Sequence, residues 1–247
     1  MRLPISPPGL LNGSNEQVKV LWVWESTVKA QSQQGILSLS LQILKREGVL
    51  LFFLTLLYTF FDQRLTAALE ESIRDSSSAI WPLGAISFIV SLLWPLLLLL
   101  VIAHAASDSP HSPWTLIRSS FEQVCIESLR SWGKTLFWSL LLIAPGIVRY
   151  IQLLFVPLIV LFDPNYSAGT IDALGRSTSL VNRNFLRVLG FIVLFSILIP
   201  LGVTSLTADY KDLIETPISG LFLTGLDVVI SVIAMAALLR LYWKLSK

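Results

Sequence analysis

The stretch Thr135–Phe162, TLFWSLLLIAPGIVRYIQLLFVPLIVLF, decides how this chain is folded. It carries a single charge, Arg149, and Pro145-Gly146 interrupts it near the middle. A helix that crosses a bilayer needs about 20 apolar residues, because the hydrocarbon core is about 30 Å thick. The stretch is therefore too long for one comfortable span. Pro removes a helical hydrogen bond and clashes with the preceding turn, and the Gly beside it suits a tight reversal. Local chemistry leaves two readings open: one kinked span, or two short spans joined at Pro145-Gly146.

Four further apolar zones flank it: Gly48–Phe61, Ala79–Ala103, Val188–Leu206 and Ser219–Leu239. Across the 247 residues, 54% are hydrophobic and only 14% are charged, with a mean hydropathy of +0.72. Water-soluble domains carry about 25% charged residues, so this chain cannot cover a water-facing surface. Those numbers exclude a disordered chain, a nucleic-acid binder relying on bulk charge, and an ordinary cytosolic enzyme. The net charge of +2 is too small to argue from; the placement of the charges is what matters. Cys125 is the sole cysteine, which excludes an intrachain disulfide. The opening residues, MRLPISPPGLLNGSNE, lack the apolar core of a signal peptide. Residues 1–40 are expected to form a cytoplasmic N-terminal segment, and residues 41–247 a single helical membrane domain.

Cytoplasmic loops are enriched in Lys and Arg. Arg2, Lys19, Lys29, Lys45 and Arg46 precede the first zone, and Arg240, Lys244 and Lys247 follow the last. The segments Asp62–Asp75 and Thr207–Pro217 are acid-rich and read as external loops. If Thr135–Phe162 crossed once, Arg176–Arg187 and the basic C-terminal segment would lie outside. Crossing twice returns every basic segment to the cytoplasm. The expectation is an all-α polytopic membrane protein with six transmembrane helices, the third and fourth a short hairpin hinged at Pro145 and Gly146, and both termini cytoplasmic.

Two internal segments have helical periodicity of their own. In Ser112–Lys134, Trp114, Ile117, Phe121, Val124, Cys125, Leu129 and Trp132 recur at three- and four-residue spacing, and Ser112-Pro113 supplies a helix start. In Thr170–Val188, Ile171, Leu174, Thr178, Val181, Phe185 and Val188 share a face, with Arg176, Arg183 and Arg187 nearly opposite. Both are expected as amphipathic helices on the cytoplasmic face.

Charges inside a membrane are costly, so each is a candidate functional group. Arg149 and Asp227 qualify, both placed by counting in the outer half of the bilayer and able to relieve each other as an ion pair. The bland account is a structural pin between helices, or an arginine reaching for the interface. The stripe of Arg176, Arg183 and Arg187 suits anionic phospholipid or an acidic membrane-protein partner, against the plainer account of a solvated face that sets topology. Glu70-Glu71 with Arg74 has the wrong spacing for a membrane-embedded CAAX-type protease, and the chain lacks the intramembrane histidines such a site needs. His104 and His111, with Asp108 between them, do not have metal-ligand spacing, and Cys125 sits on an apolar face without a matching base. No phosphate loop, nucleophile turn or HExxH is present. The residues predict neither catalytic site, metal nor cofactor.

The segment Asp163-Pro-Asn-Tyr-Ser-Ala-Gly-Thr-Ile-Asp-Ala-Leu-Gly-Arg-Ser-Thr-Ser-Leu-Val, continuing to Phe185 and Arg187-Val-Leu-Gly190, resembles one found in bacterial YciC-like membrane proteins and in the membrane domain joined to some glycerophosphodiester phosphodiesterases. Ala173, Arg176, Ser177, Leu180, Val188 and Gly190 carry the match, with Pro145-Gly146 upstream. Asp163 stands where Glu is commoner. The resemblance covers about residues 135–205; the first half of the chain is similar only in hydropathy. It implies a six-helix inner-membrane protein without a known catalytic site, associated with lipid or envelope homeostasis. No phosphodiesterase domain accompanies it, so hydrolysis does not carry over. The leading expectation is a non-catalytic scaffold or accessory protein of the bacterial inner membrane; the alternative is a transporter or transporter subunit using Arg149 and Asp227.

Overall fold

A computed structural model of the protein describes residues 35–107, 113–208 and 217–246. Every regular element among them is helical. In chain order these are α1 (Ile36–Arg74), α2 (Ile80–Ala106), α3 (Pro113–Leu141), α4 (Ile143–Gln152), α5 (Val156–Phe162), α6 (Pro164–Ser167), α7 (Ala173–Arg183), α8 (Phe185–Ile192), a π-helical turn at Val193–Leu198, α9 (Ile199–Ala208) and α10 (Pro217–Leu245). Residues 1–34, His111 and most of the acidic segment Thr207–Pro217 lie outside the described residues.

Among the described residues, four stretches are long and apolar enough to cross a membrane: Ile80–Ala106, Ile143–Phe162, Phe185–Val203 and Leu221–Leu245. The expected count of six is not reached among these residues: neither Gly48–Phe61 nor the first arm of the hairpin is among the four. The apolar arm expected as the third span runs only from Thr135 to Leu141 before its helix ends, about 10 Å at 1.5 Å per residue. The other arm, Ile143–Phe162, is one of the four, although turns at Leu153–Phe155 divide it into helices of ten and seven residues.

The described chain forms two compact units. One contains Ile36–Ile117 and Pro200–Ala236. Here α1 and α2 run antiparallel: Tyr58 stacks on Trp94 with ring centroids 4.5 Å apart, and Glu47 meets His104 at 3.7 Å. Moving back along α1 thus corresponds to moving forward along α2. Helix α1 continues through Asp62–Asp75 almost to its end, where a loop was expected. The cause is local: Gln63–Arg74 contains neither Gly nor Pro and is rich in good helix formers. The turn into α2 is made by Ser76 at a positive φ of 51° and by Ser77, whose Oγ accepts from the Ala79 amide.

The second unit contains Arg118–Ile199 and the end of α10 from Ala237. Its core is apolar and closed, built from Phe155, Leu158 and Ile159 around α5, Leu174 and Val181 on α7, and Leu239, Tyr242 and Trp243 on α10. Phe162 meets Trp243 edge-on at 6.1 Å, and Phe155 lies 5.9 Å from Tyr242. Half of the window Ile143–Phe162 is buried in protein, against 6% of Phe185–Val203. The first packs on its own chain; the second presents its apolar side chains outward.

Helix α3 begins at Pro113, with Ser112 outside the described residues, and it is one continuous helix to Leu141. Its buried stripe differs from the apolar one expected. Val124, Glu127, Ser128 and Ser131 point inward, while Leu129 and Trp114 are exposed. A carboxylate can occupy that stripe because Glu127 is held by partners described below. Helix α7 keeps the expected apolar face on Leu174 and Val181, joined by Ala173, Ser177 and Leu180. That face lies against α4 and α5, so α7 rests on protein rather than on a bare membrane surface.

Candidate functional site: a cationic groove beside a helical hairpin

Helix α3 ends because Leu142 adopts an extended conformation, φ −157° and ψ 135°. The chain then folds back. Ser139 and Gly146 would lie about 10 Å apart along one helix, yet a Cβ added to Gly146 would stand 2.7 Å from the Ser139 Cα. The hinge expected at Pro145-Gly146 is thus centred three residues earlier. Pro145 sits in the first turn of α4, where an amide hydrogen would lack a helical partner anyway. Gly146 supplies the close approach of the two backbones.

The far end of α4 is pinned to α7. Helix α4 stops at Gln152, so the Gln152 carbonyl loses the partner a continuing helix would supply. Ser177 Oγ donates to it at 2.7 Å. The Gln152 amide donates to Asn182 Oδ1 at 2.9 Å, and its oxygen accepts from Arg149 at 3.0 Å. The Arg149 guanidinium also lies over the Trp138 ring, 5.4 Å from its centroid. A cation over the face of Trp is attracted by the ring quadrupole.

These contacts frame a groove of about 380 Å³ lined by Lys134 and Trp138 from α3, Arg149 and Leu153 at the end of α4, and Asp172, Gly175 and Thr178 at the start of α7. Binding pockets for small ligands start at about this size. Its two cations come from opposite arms of the hairpin. Its one acid, Asp172, is already engaged: it caps α7 by accepting from the Gly175 amide at 3.0 Å, and Arg130 stands 3.7 Å away.

A second charged cluster adjoins it. Arg130 donates to both oxygens of the buried Glu127 at 2.8 and 2.9 Å, and the Tyr166 hydroxyl donates to Glu127 at 3.3 Å. Burial, together with the neighbouring Glu127 carboxylate, pushes the Tyr166 phenol up to about 12. It stays a proton donor. Burial likewise raises the Cys125 thiol, which keeps it protonated and a poor nucleophile.

The arginine stripe divides. Arg176 turns inward, its buried Nε 3.6 Å from the buried carboxylate of Asp163. Arg183 and Arg187 are exposed, and Arg187 reaches Asn184 at 3.3 Å. Arg149 and Asp227 belong to different compact units. Arg149 sits in the groove, while Asp227 is an exposed residue on α10. Sequence reasoning passed over Lys134, Trp138, Glu127 and Tyr166. The available signal was Lys134 as the last charge before the apolar run, with Trp138 one turn later.

Among known proteins, no family model, curated protein or solved structure matches this chain.

Proposed function

We propose that the protein is a non-catalytic, multi-pass protein of the bacterial inner membrane that holds the headgroup of an anionic phospholipid in the Lys134–Arg149 groove, as a scaffold or accessory in lipid or envelope homeostasis. The groove carries the reading. Two cations and an indole converge there, the only acid on its wall is committed elsewhere, and the surrounding chain is too apolar for water. A phosphodiester accepts charge-assisted hydrogen bonds from ammonium and guanidinium groups. Trp favours the level of the headgroups, and Lys and Arg extend toward it along their apolar stems. Cytoplasmic placement of this face follows from the Lys and Arg distribution. The similarity of Asp163–Gly190 to YciC-like proteins agrees with a lipid-linked role and brings no catalytic residue with it.

The test is retention of anionic lipid. The full chain is extracted from bilayers containing phosphatidylglycerol, and bound lipid is counted by native mass spectrometry. One basic residue near an anionic surface is worth about 1 kcal/mol, so Lys134→Ala should weaken retention roughly fivefold. Arg183→Ala, on the exposed face, should change it much less. Equal retention by the wild type and by a Lys134→Ala, Arg149→Gln double variant would remove the groove as the site.

A further inference from the structure

We propose that Thr135–Gln152 is a re-entrant hairpin. It enters and leaves the bilayer on one face, with the tip at Leu140–Ile143 among the acyl chains of a single leaflet. The inference rests on the membrane reading of the chain but not on a headgroup occupying the groove.

Length argues first. Lys134 lies eight residues before the reversal at Leu142 and Arg149 seven after it, so each arm reaches about 10 to 12 Å beyond the groove. The hydrocarbon core is about 30 Å thick. Neither arm reaches across it from the groove, and Ile143–Phe162, although long enough as a whole, is interrupted at Leu153–Phe155, carries Arg149 and is half buried in protein. Surface chemistry argues second. Leu140 is 86% exposed, Ile143 77% and Leu142 66%, and no charged or hydrogen-bonding side chain occurs between Ser139 and Arg149. An external loop in water would not carry such a tip. Pro145 lacks an amide hydrogen, so the tip takes one fewer unpaired donor into hydrocarbon. The base of the hairpin has the opposite character: Lys134, Trp138, Arg149 and Tyr150 are residue types of the headgroup region.

Charge parity supplies a third argument. A hairpin that crosses twice and one that does not cross leave the basic segments on the same side. If Gly48–Phe61, a short zone inside the 39-residue helix α1, crosses together with Ala79–Ala103, Val188–Leu206 and Ser219–Leu239, then Arg176–Arg187 and Arg240–Lys247 share the side of Lys45 and Arg46. Four such crossings satisfy the Lys and Arg distribution as well as six do, and they do not ask either arm of the hairpin to span the bilayer. The occupant of the exposed apolar tip is therefore lipid acyl chain.

The depth of the tip is measurable. The full chain carrying Cys125→Ser and Leu142→Cys is labelled with an environment-sensitive fluorophore and reconstituted in phosphatidylcholine vesicles. Nitroxide lipids labelled at shallow or deep acyl positions and aqueous iodide then compete as quenchers. The expected result is strong quenching by acyl nitroxides with iodide quenching reduced at least severalfold from that of the free dye. Efficient iodide quenching, which a tip emerging into water on the far side would show, overturns the proposal. So does a tip that neither quencher reaches, since it would be packed in protein. A probe at Ile147→Cys, one turn down α4, gives an independent reading if Leu142→Cys does not reconstitute. Lipid retention by Lys134→Ala reports on the groove separately, so either idea can fail alone.

Discussion

Gly146 has no room for a side chain. Its missing Cβ would meet the Ser139 backbone at 2.7 Å, so Gly146→Ala must push the two arms of the hairpin apart. Overpacking of this kind costs about 1–3 kcal/mol. We expect a lower unfolding midpoint in detergent for Gly146→Ala, and little change for Gly133→Ala, where the added methyl meets open space. Tyr166 offers a test by titration. Its phenol is raised to about 12 by burial and by Glu127, so the folded state holds the proton more tightly than the unfolded chain does. The resulting stabilisation is complete below the ordinary tyrosine value near 10 and is lost as pH rises through about 12. Glu127→Gln should move the Tyr166 midpoint down toward 10, read by NMR of labelled tyrosine; an unmoved midpoint would detach the phenol from that carboxylate. Neither contact was visible in the sequence, because Tyr166 and Glu127 are 39 residues apart.

At the scale of elements, the apolar zones and the existence of α3 and α7 were legible from hydropathy and periodicity. Their ends were not. Helix α3 stops at Leu142, a residue with no breaking tendency, because the arms pack on each other at Ser139 and Gly146. Pro145-Gly146 signalled a reversal nearby without marking its centre. The continuation of α1 through Gln63–Arg74 could have been read from the absence of Gly and Pro there; the acidic side chains drew attention to topology instead. The division of the arginine stripe depends on Asp163, whose position beside Arg176 is set by α5 and α6 rather than by α7's own spacing. The residues on which the proposed likeness to YciC-like proteins rests have packing roles here: Ala173, Leu180 and Val188 are buried, and the Ser177 hydroxyl donates to the Gln152 carbonyl at the end of α4. Ser177→Ala leaves the Gln152 carbonyl unpaired. We expect a loss of about 1–3 kcal/mol in chemical unfolding, with Ser177→Thr retaining part of the bond; equal stability of Ala and wild type would mean that the carbonyl finds another donor.

At the scale of the whole molecule, composition alone carried the membrane assignment, and the long apolar helices agree with it. The number of crossings was harder to read, since hydropathy reports how apolar a stretch is and not whether it turns back. The groove was hidden for a related reason: Lys134, Arg149 and Thr178 come together only after the reversal at Leu142. The central claim is that every Lys- and Arg-rich segment faces the cytoplasm, which places the groove and the base of the hairpin on that side. The direct measurement uses Ser179→Cys, exposed on α7, in a Cys125→Ser background with a membrane-impermeant maleimide. Intact spheroplasts should leave the cysteine unmodified, and inverted vesicles should label it fully. Labelling in intact spheroplasts would contradict the account.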